Sequence, residues 1–217
     1  MRDIYHEQLD SVGHTLVEMA GLVGAALERA TIALLEADLS TAEAVIAADD
    51  AVDALQRELD LRTLDLIARQ QPVAGDLRTL VTSLRMSADL ERMGDLARHV
   101  AKIARMRYPE TAIPKELRPT IERMGQIGVE LAGKIGQVIE GKDVAVARSL
   151  ETDDDAVDRL HRAVFTALTS SEEPYPVETA IDVTLISRYY ERFADHAVSV
   201  AKRLIFLVTG DAEAVDE

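Results

Sequence analysis

The chain has 217 residues, of which 47% are hydrophobic but only 4% aromatic, with no cysteine and no tryptophan. The core must therefore be aliphatic, which suits packed helices. Six prolines and eleven glycines are too few for a turn-rich β protein, and the lack of cysteine excludes a disulfide framework or a thiolate metal site. A formal net charge of −15 and the absence of any basic run argue against nucleic-acid binding and against adhesion to anionic lipid. The N-terminal residues have no apolar stretch of the kind found in signal peptides, and no apolar run reaches membrane-spanning length, so a cytoplasmic protein with no direct membrane insertion is expected.

In chain order, Leu9, Val12, Leu16, Met19, Val23, Ala26, Ala30 and Ala33 recur at steps of three and four, the seam of a bundled helix. Ser40-x-x-Glu43 reads as a capping box, which predicts a second helix from about 41 with Val45, Val52, Leu55, Leu59 and Leu66 on its apolar face. Gln71-Pro72 breaks that pattern, and Pro72 is placed to open a third helix running to about Arg107. Tyr108 to Pro114, with prolines at 109 and 114, reads as a linker and a hinge. A fourth helix is expected over 115–140 with Gly141 just past its end, and a fifth over 143–169. After a turn at Ser170–Pro176, a sixth helix carries Val183, Ile186, Tyr190, Phe193, Ala197, Val200, Leu204 and Leu207 on one stripe and stops at Gly210 before an acidic tail. The spacing of Gly21 and Gly24, and of Gly133 and Gly136, within helices predicts close packing at those points. The fold class is all-α: two tandem antiparallel three-helix bundles, residues 1–108 and 115–217, joined by 109–114.

The chain repeats itself at a distance of about a hundred residues, the mark of an internal duplication. Asp49-Asp50-Ala51-Val52-Asp53 returns as Asp154-Asp155-Ala156-Val157-Asp158, and Glu91-Arg-Met-Gly-Asp95 returns as Glu191-Arg-Phe-Ala-Asp195. Each half thus holds two acidic pairs at i, i+4: Asp49/Asp53 with Glu91/Asp95, and Asp154/Asp158 with Glu191/Asp195. Acids four apart on a helix stack on one face and repel, and a hard cation would relieve that repulsion. A single such pair is commonplace on a solvated helix; four pairs matched across a repeat point to metal ligation. On a wheel of about 100° per residue the pairs lie opposite the apolar stripes, which predicts an outer face for them. That placement, and the lack of paired Glu-x-x-His motifs, argue against a ferritin-like di-iron core; Asp158-x-x-His161 is the nearest approach to one. Arg92 and Arg192 could orient the carboxylates. His99 could add a ligand, but its repeat partner is Ser199.

Gln71-Pro-Val-Ala-Gly-Asp-Leu-Arg78, Ala88-Asp-Leu-Glu-Arg-Met-Gly-Asp95, the two Asp-Asp-Ala-Val-Asp strings and Tyr190-Glu-Arg-Phe-Ala-Asp-His196 together resemble the PhoU family of phosphate-specific transport system accessory proteins. The resemblance runs from about Tyr5 to Thr209. The second half lacks the Gln-Pro-x-x-x-Asp-Leu-Arg segment, and Ala194 stands where glycine or a similar small residue is usual. The resemblance implies two three-helix bundles. It implies surface metal sites for iron, zinc, magnesium or manganese at Asp49, Asp53, Glu91, Asp95, Asp154, Asp158, Glu191 and Asp195. It also implies a negative regulator of phosphate uptake and of the phosphate-starvation response. Such a regulator would be a homodimer peripheral to the inner face of the membrane, in contact with the importer's ATPase subunit and a phosphate-sensing histidine kinase. An adaptor of that kind has no turnover. The alternatives are a metal-dependent hydrolase or oxidase using the carboxylates, or a helical scaffold whose acids serve solubility alone.

Overall fold

The computed structural model describes residues 2–170 and 174–211, with side chains from Tyr5 onward. The expected acidic tail beyond Asp211 and part of the expected turn after Ser170 lie outside the described residues. The described residues form six helices: α1 (Arg2–Glu36), α2 (Leu39–Gln70), α3 (Ala74–Arg107), α4 (Arg118–Gly141), α5 (Val144–Ser170) and α6 (Val177–Thr209). No strand occurs among the described residues.

Several helix ends differ from the sequence-based expectation, each for a local reason. The cap of α2 is Asp38, not Ser40: its carboxylate accepts from the Thr41 amide at 3.1 Å and from the hydroxyls of Thr41 and Ser40. Asp outcompetes Ser there because one carboxylate satisfies three donors, which also lowers its pKa to about 2. α3 begins at Ala74, two residues beyond Pro72, because Gln71 ends α2 in the left-handed region and Val73 is extended. α4 starts later than expected, with Pro119 in its first turn, and at its far end Lys142 takes the left-handed position while Gly141 remains helical.

α1, α2 and α3 pack on one another, as do α4, α5 and α6, and the two sets are not separate beads. α1 lies along α4 and α3 along α6, so these four helices share one core, with α2 and α5 on its flanks. The α1–α4 crossing depends on the absence of side-chain bulk. A Cβ on Gly128 would run into Leu27, one on Gly125 would sit 2.7 Å from Thr31 Oγ1, and one on Gly24 would sit 3.0 Å from the Ala132 methyl. Gly21, Gly133 and Gly136 face open space, so of the glycines singled out by spacing only Gly24 marks a close approach. Thr31 on α1 meets the Tyr190 hydroxyl on α6 at 2.7 Å, which satisfies the one polar atom of a ring that is otherwise fully buried. On the α3–α6 side, Arg107 reaches Asp182 at 2.5 Å and also contacts Glu178, while Asp89 receives His196 at 3.1 Å and Arg203 at 2.7 Å.

The expected hinge is packed down. Ala112, Ile113 and Leu117 are buried, the Thr111 hydroxyl donates to the Leu34 carbonyl, and Arg118 bonds the Leu35 carbonyl and the Glu36 carboxylate. These contacts seat the linker on the C-terminal end of α1.

Candidate metal centres

The acidic pairs come from two neighbouring helices in each half. α2 carries Asp49 and Asp53 toward Glu91 and Asp95 of α3, and α5 carries Asp154 and Asp158 toward Glu191 and Asp195 of α6. Val52 and Val157, inside the two Asp-Asp-Ala-Val-Asp strings, are buried and hold each string against the core. Mutual repulsion among the four acids of each half enters their protonation: Glu91 feels Asp95, Asp53 and Asp49, and Asp154 feels Asp195, Asp158 and Glu191.

The expectation of an outer face needs correction. Asp49 is only 7% exposed, and the side chains of Asp95 and Glu191 are 13% and 12% exposed. Asp53, Glu91, Asp154 and Asp158 are half-buried, and Asp195 alone is exposed. The wheel places the acids opposite the main core stripe correctly. The side opposite that stripe is not solvent, however, but the seam where α2 meets α3 and α5 meets α6. Gly94 contributes to that closeness: a Cβ there would sit 3.2 Å from Asp49 Oδ1 and 3.5 Å from Val52 Cγ1. Its repeat partner is the buried Ala194.

The quartets differ in how their charge is met. In the first, Arg98 bridges the two helices: Nη1 lies 2.5 Å from Asp49 Oδ2, and Nη2 contacts Asp95 Oδ1. Arg92 adds a contact to Asp95 at 2.8 Å. In the second, the residue at the place of Arg98 is Val198, half-buried against the core. Arg188 contacts Glu191, and the buried atoms Asp154 Oδ1 and Glu191 Oε2 have no hydrogen-bond partner. Desolvation and the neighbouring carboxylates push Asp154 up to about 7. Desolvation, then Asp195 against the pull of Arg188, also raises Glu191, and desolvation with Asp158 raises Asp195 against the same arginine. Asp49 and Glu91 in the first quartet are raised by desolvation too, with Arg98 pulling Asp49 back down.

Sequence reasoning missed Arg98 and Arg188, although both sit three residues from an acid of the motif, at ion-pairing distance on a helix. It singled out Arg92, which does pair, and Arg192, for which no ion pair is found among the described residues. The His99 ring lies against Tyr189 of α6, with centroids 5.3 Å apart. His161 meets the Ser187 hydroxyl at 3.0 Å. As the side chains stand, no three acids or histidines among the described residues are gathered closely enough to hold an ion. Both quartets are therefore seams of closely spaced carboxylates rather than preformed cages.

Comparison with known proteins places these features. The PhoU domain matches residues 16–104 and again 121–204. The chain is 49% identical over 210 residues to the phosphate-specific transport system accessory protein PhoU homolog 2 of Mycobacterium tuberculosis, covering 97% of this chain and 99% of that one. It is 41% identical to PhoU homolog 1 of the same organism over 217 residues, covering 100% and 98%. Among solved structures, PhoU from Pseudomonas aeruginosa superposes with a TM-score of 0.84 at 28% identity over 95% of this chain and 100% of that one. The phosphate transport system regulatory protein PhoU from Streptococcus pneumoniae gives 0.84 at 24% identity, over 95% and 98%, and shows the shared fold. With two domain matches over most of its length and relatives this similar end to end, the chain belongs to the PhoU family.

Proposed function

We propose that this chain is a negative regulator of phosphate uptake and of the phosphate-starvation response, acting as an adaptor that binds metal ions. The observation that carries the reading is end-to-end similarity to accessory proteins of phosphate-specific transport systems. Such proteins are regulatory accessories, not enzymes. The chain would contact the importer's ATPase subunit and a phosphate-sensing histidine kinase, work as a homodimer, and sit at the cytoplasmic face of the membrane through those partners. Among the described residues no helix is long and apolar enough to cross a membrane. The strong negative charge likewise supports recruitment by protein surfaces, since anionic lipid would repel it.

The metal part of the reading finds its best support in the second quartet. Two buried carboxylate oxygens without partners, and acids raised by desolvation and by one another's charge, would be relieved together by a cation. Asp154, Asp158, Glu191 and Asp195 would hold it. An all-oxygen donor set suits magnesium, manganese or iron better than zinc. At the first quartet, Asp49, Asp53, Glu91 and Asp95 would hold an ion only once Arg98 gave way.

A reporter driven by a starvation-induced promoter tests the regulatory role. Because the relatives occur as two homologs in one organism, the strain must lack any second copy. Deletion is expected to switch the reporter on in phosphate-rich medium, and reintroducing the gene to silence it. A reporter that stays silent in the deletion strain overturns the reading.

A further inference from the structure

The Gln71–Arg78 segment takes no part in the carboxylate seams. It lines an open groove where α3 begins and α6 ends, formed by Ala74, Leu77, Arg78, Val81, Arg85 and Phe206. Leu77 and Val81, one helical turn apart, are exposed apolar side chains on this face. The Arg78 guanidinium lies 5.8 Å over the Phe206 ring. Neither Arg78 nor Arg85 has an ion-pair partner among the described residues, and no side chain caps the α3 N-terminus. In a chain of net charge −15, folding has made a small basic and apolar surface that no basic run in the sequence announces.

The other half provides an internal control. The start of α6 has its own apolar groove, with Val177, Ile181 and Leu185. In repeat register Glu178 stands at the place of Arg78 and Leu185 at the place of Arg85. Glu178 and Asp182 are already engaged by Arg107. The duplicated grooves have therefore diverged in charge, and only the first offers unpaired cations beside apolar side chains.

We infer that the α3 groove docks an amphipathic helix of a partner protein. Apolar side chains four apart would enter between Leu77, Val81 and Phe206, and flanking acids would meet Arg78 and Arg85. This is helix-in-groove recognition with charge setting the choice of partner. The inference rests on the adaptor reading for the existence of a protein partner. A second copy of the chain fits less well, because the acids beside its own exposed stripe are held by Arg107. A membrane fits less well, because two arginines do not offset the charge of the whole chain.

The test places a photo-reactive benzophenone amino acid at Val81 of the full chain in living cells and identifies the cross-linked peptide by mass spectrometry. The expected product is a segment of a different protein with apolar residues at i and i+4 flanked by Asp or Glu. Arg85→Glu, at an exposed site with no partner to lose, is expected to cut the yield about tenfold while the melting temperature stays unchanged. The same probe at Ile181 is expected not to capture that segment. Cross-linking to a second copy, to residues 212–217 of the same chain, to lipid or to nothing overturns the inference, as does a yield indifferent to Arg85→Glu. The starvation reporter remains independent: if it still depends on the gene while the Val81 cross-link fails, the groove is wrong and the adaptor reading stands.

Discussion

The two carboxylate seams began as copies, yet they solve the same electrostatic problem differently. On α2 and α3 the acids are neutralised from within by Arg98, which reaches Asp49 and Asp95 at once. On α5 and α6 the corresponding position is Val198, and burial beside the neighbouring carboxylates pushes Asp154 up to about 7. A matched set of ligand-type residues is thus not a matched set of sites. What surrounds the acids decides whether a cation from solution has charge left to answer.

The largest effect should come from exchanging those surroundings. Arg98→Leu leaves Asp49 buried beside Asp95 with no counter-charge, and removing one partner of a largely buried pair costs about 3 kcal/mol. Chemical denaturation in the presence of a chelator should show that loss, and added manganese should recover part of it by making the first seam resemble the second. If the variant is as stable as the parent, Arg98 is not what neutralises the first seam.

A smaller effect separates the seams directly. At a metal concentration of one hundred dissociation constants, binding to the folded state adds about 2.7 kcal/mol of stability. Glu191→Ala with Asp195→Ala should abolish most of the manganese-dependent rise in melting temperature, whereas Glu91→Ala with Asp95→Ala should leave most of it. Equal losses from the two double variants would show that the seams bind metal alike and that Arg98 is no barrier.

The smallest effect is on pH dependence. The folded-state pKa of Asp154 lies above its unfolded value, so its protonated form favours folding. That contribution is complete below about pH 4 and is lost as pH rises through about 7. Metal-free protein should therefore melt at a lower temperature at pH 8 than at pH 6, and Asp154→Asn should flatten that slope. Asp49→Asn should flatten it less, because Arg98 pulls the raised Asp49 carboxyl back down. A slope unchanged by Asp154→Asn would place the titration elsewhere.

Much of this was legible in the sequence, and what escaped did so for identifiable reasons. Steps of three and four at Leu16, Met19 and Val23 give the helices, and the repeat of Asp-Asp-Ala-Val-Asp gives their duplication, because both signals are local along the chain. The setting of the acids was not local. A helical wheel fixes the angle of Glu91 relative to Val100 but not which helix lies on that side. Arg98 escaped because reading by repeat keeps residues that match, and Arg98 matters through having no match. The basic groove escaped because Phe206 and Arg78 are far apart in sequence and meet only when α6 folds back along α3.

The crossing of Leu27 over Gly128 has a consequence for where the chain can be cut. Severed at the linker, the N-terminal half would carry bare the faces of α1 and α3 that α4 and α6 now cover. An isolated half could hide them only by pairing with another copy of itself. Cutting at the linker would thus turn a core into a subunit interface, and Gly128 is the position where an added side chain would most directly bar the two halves from rejoining.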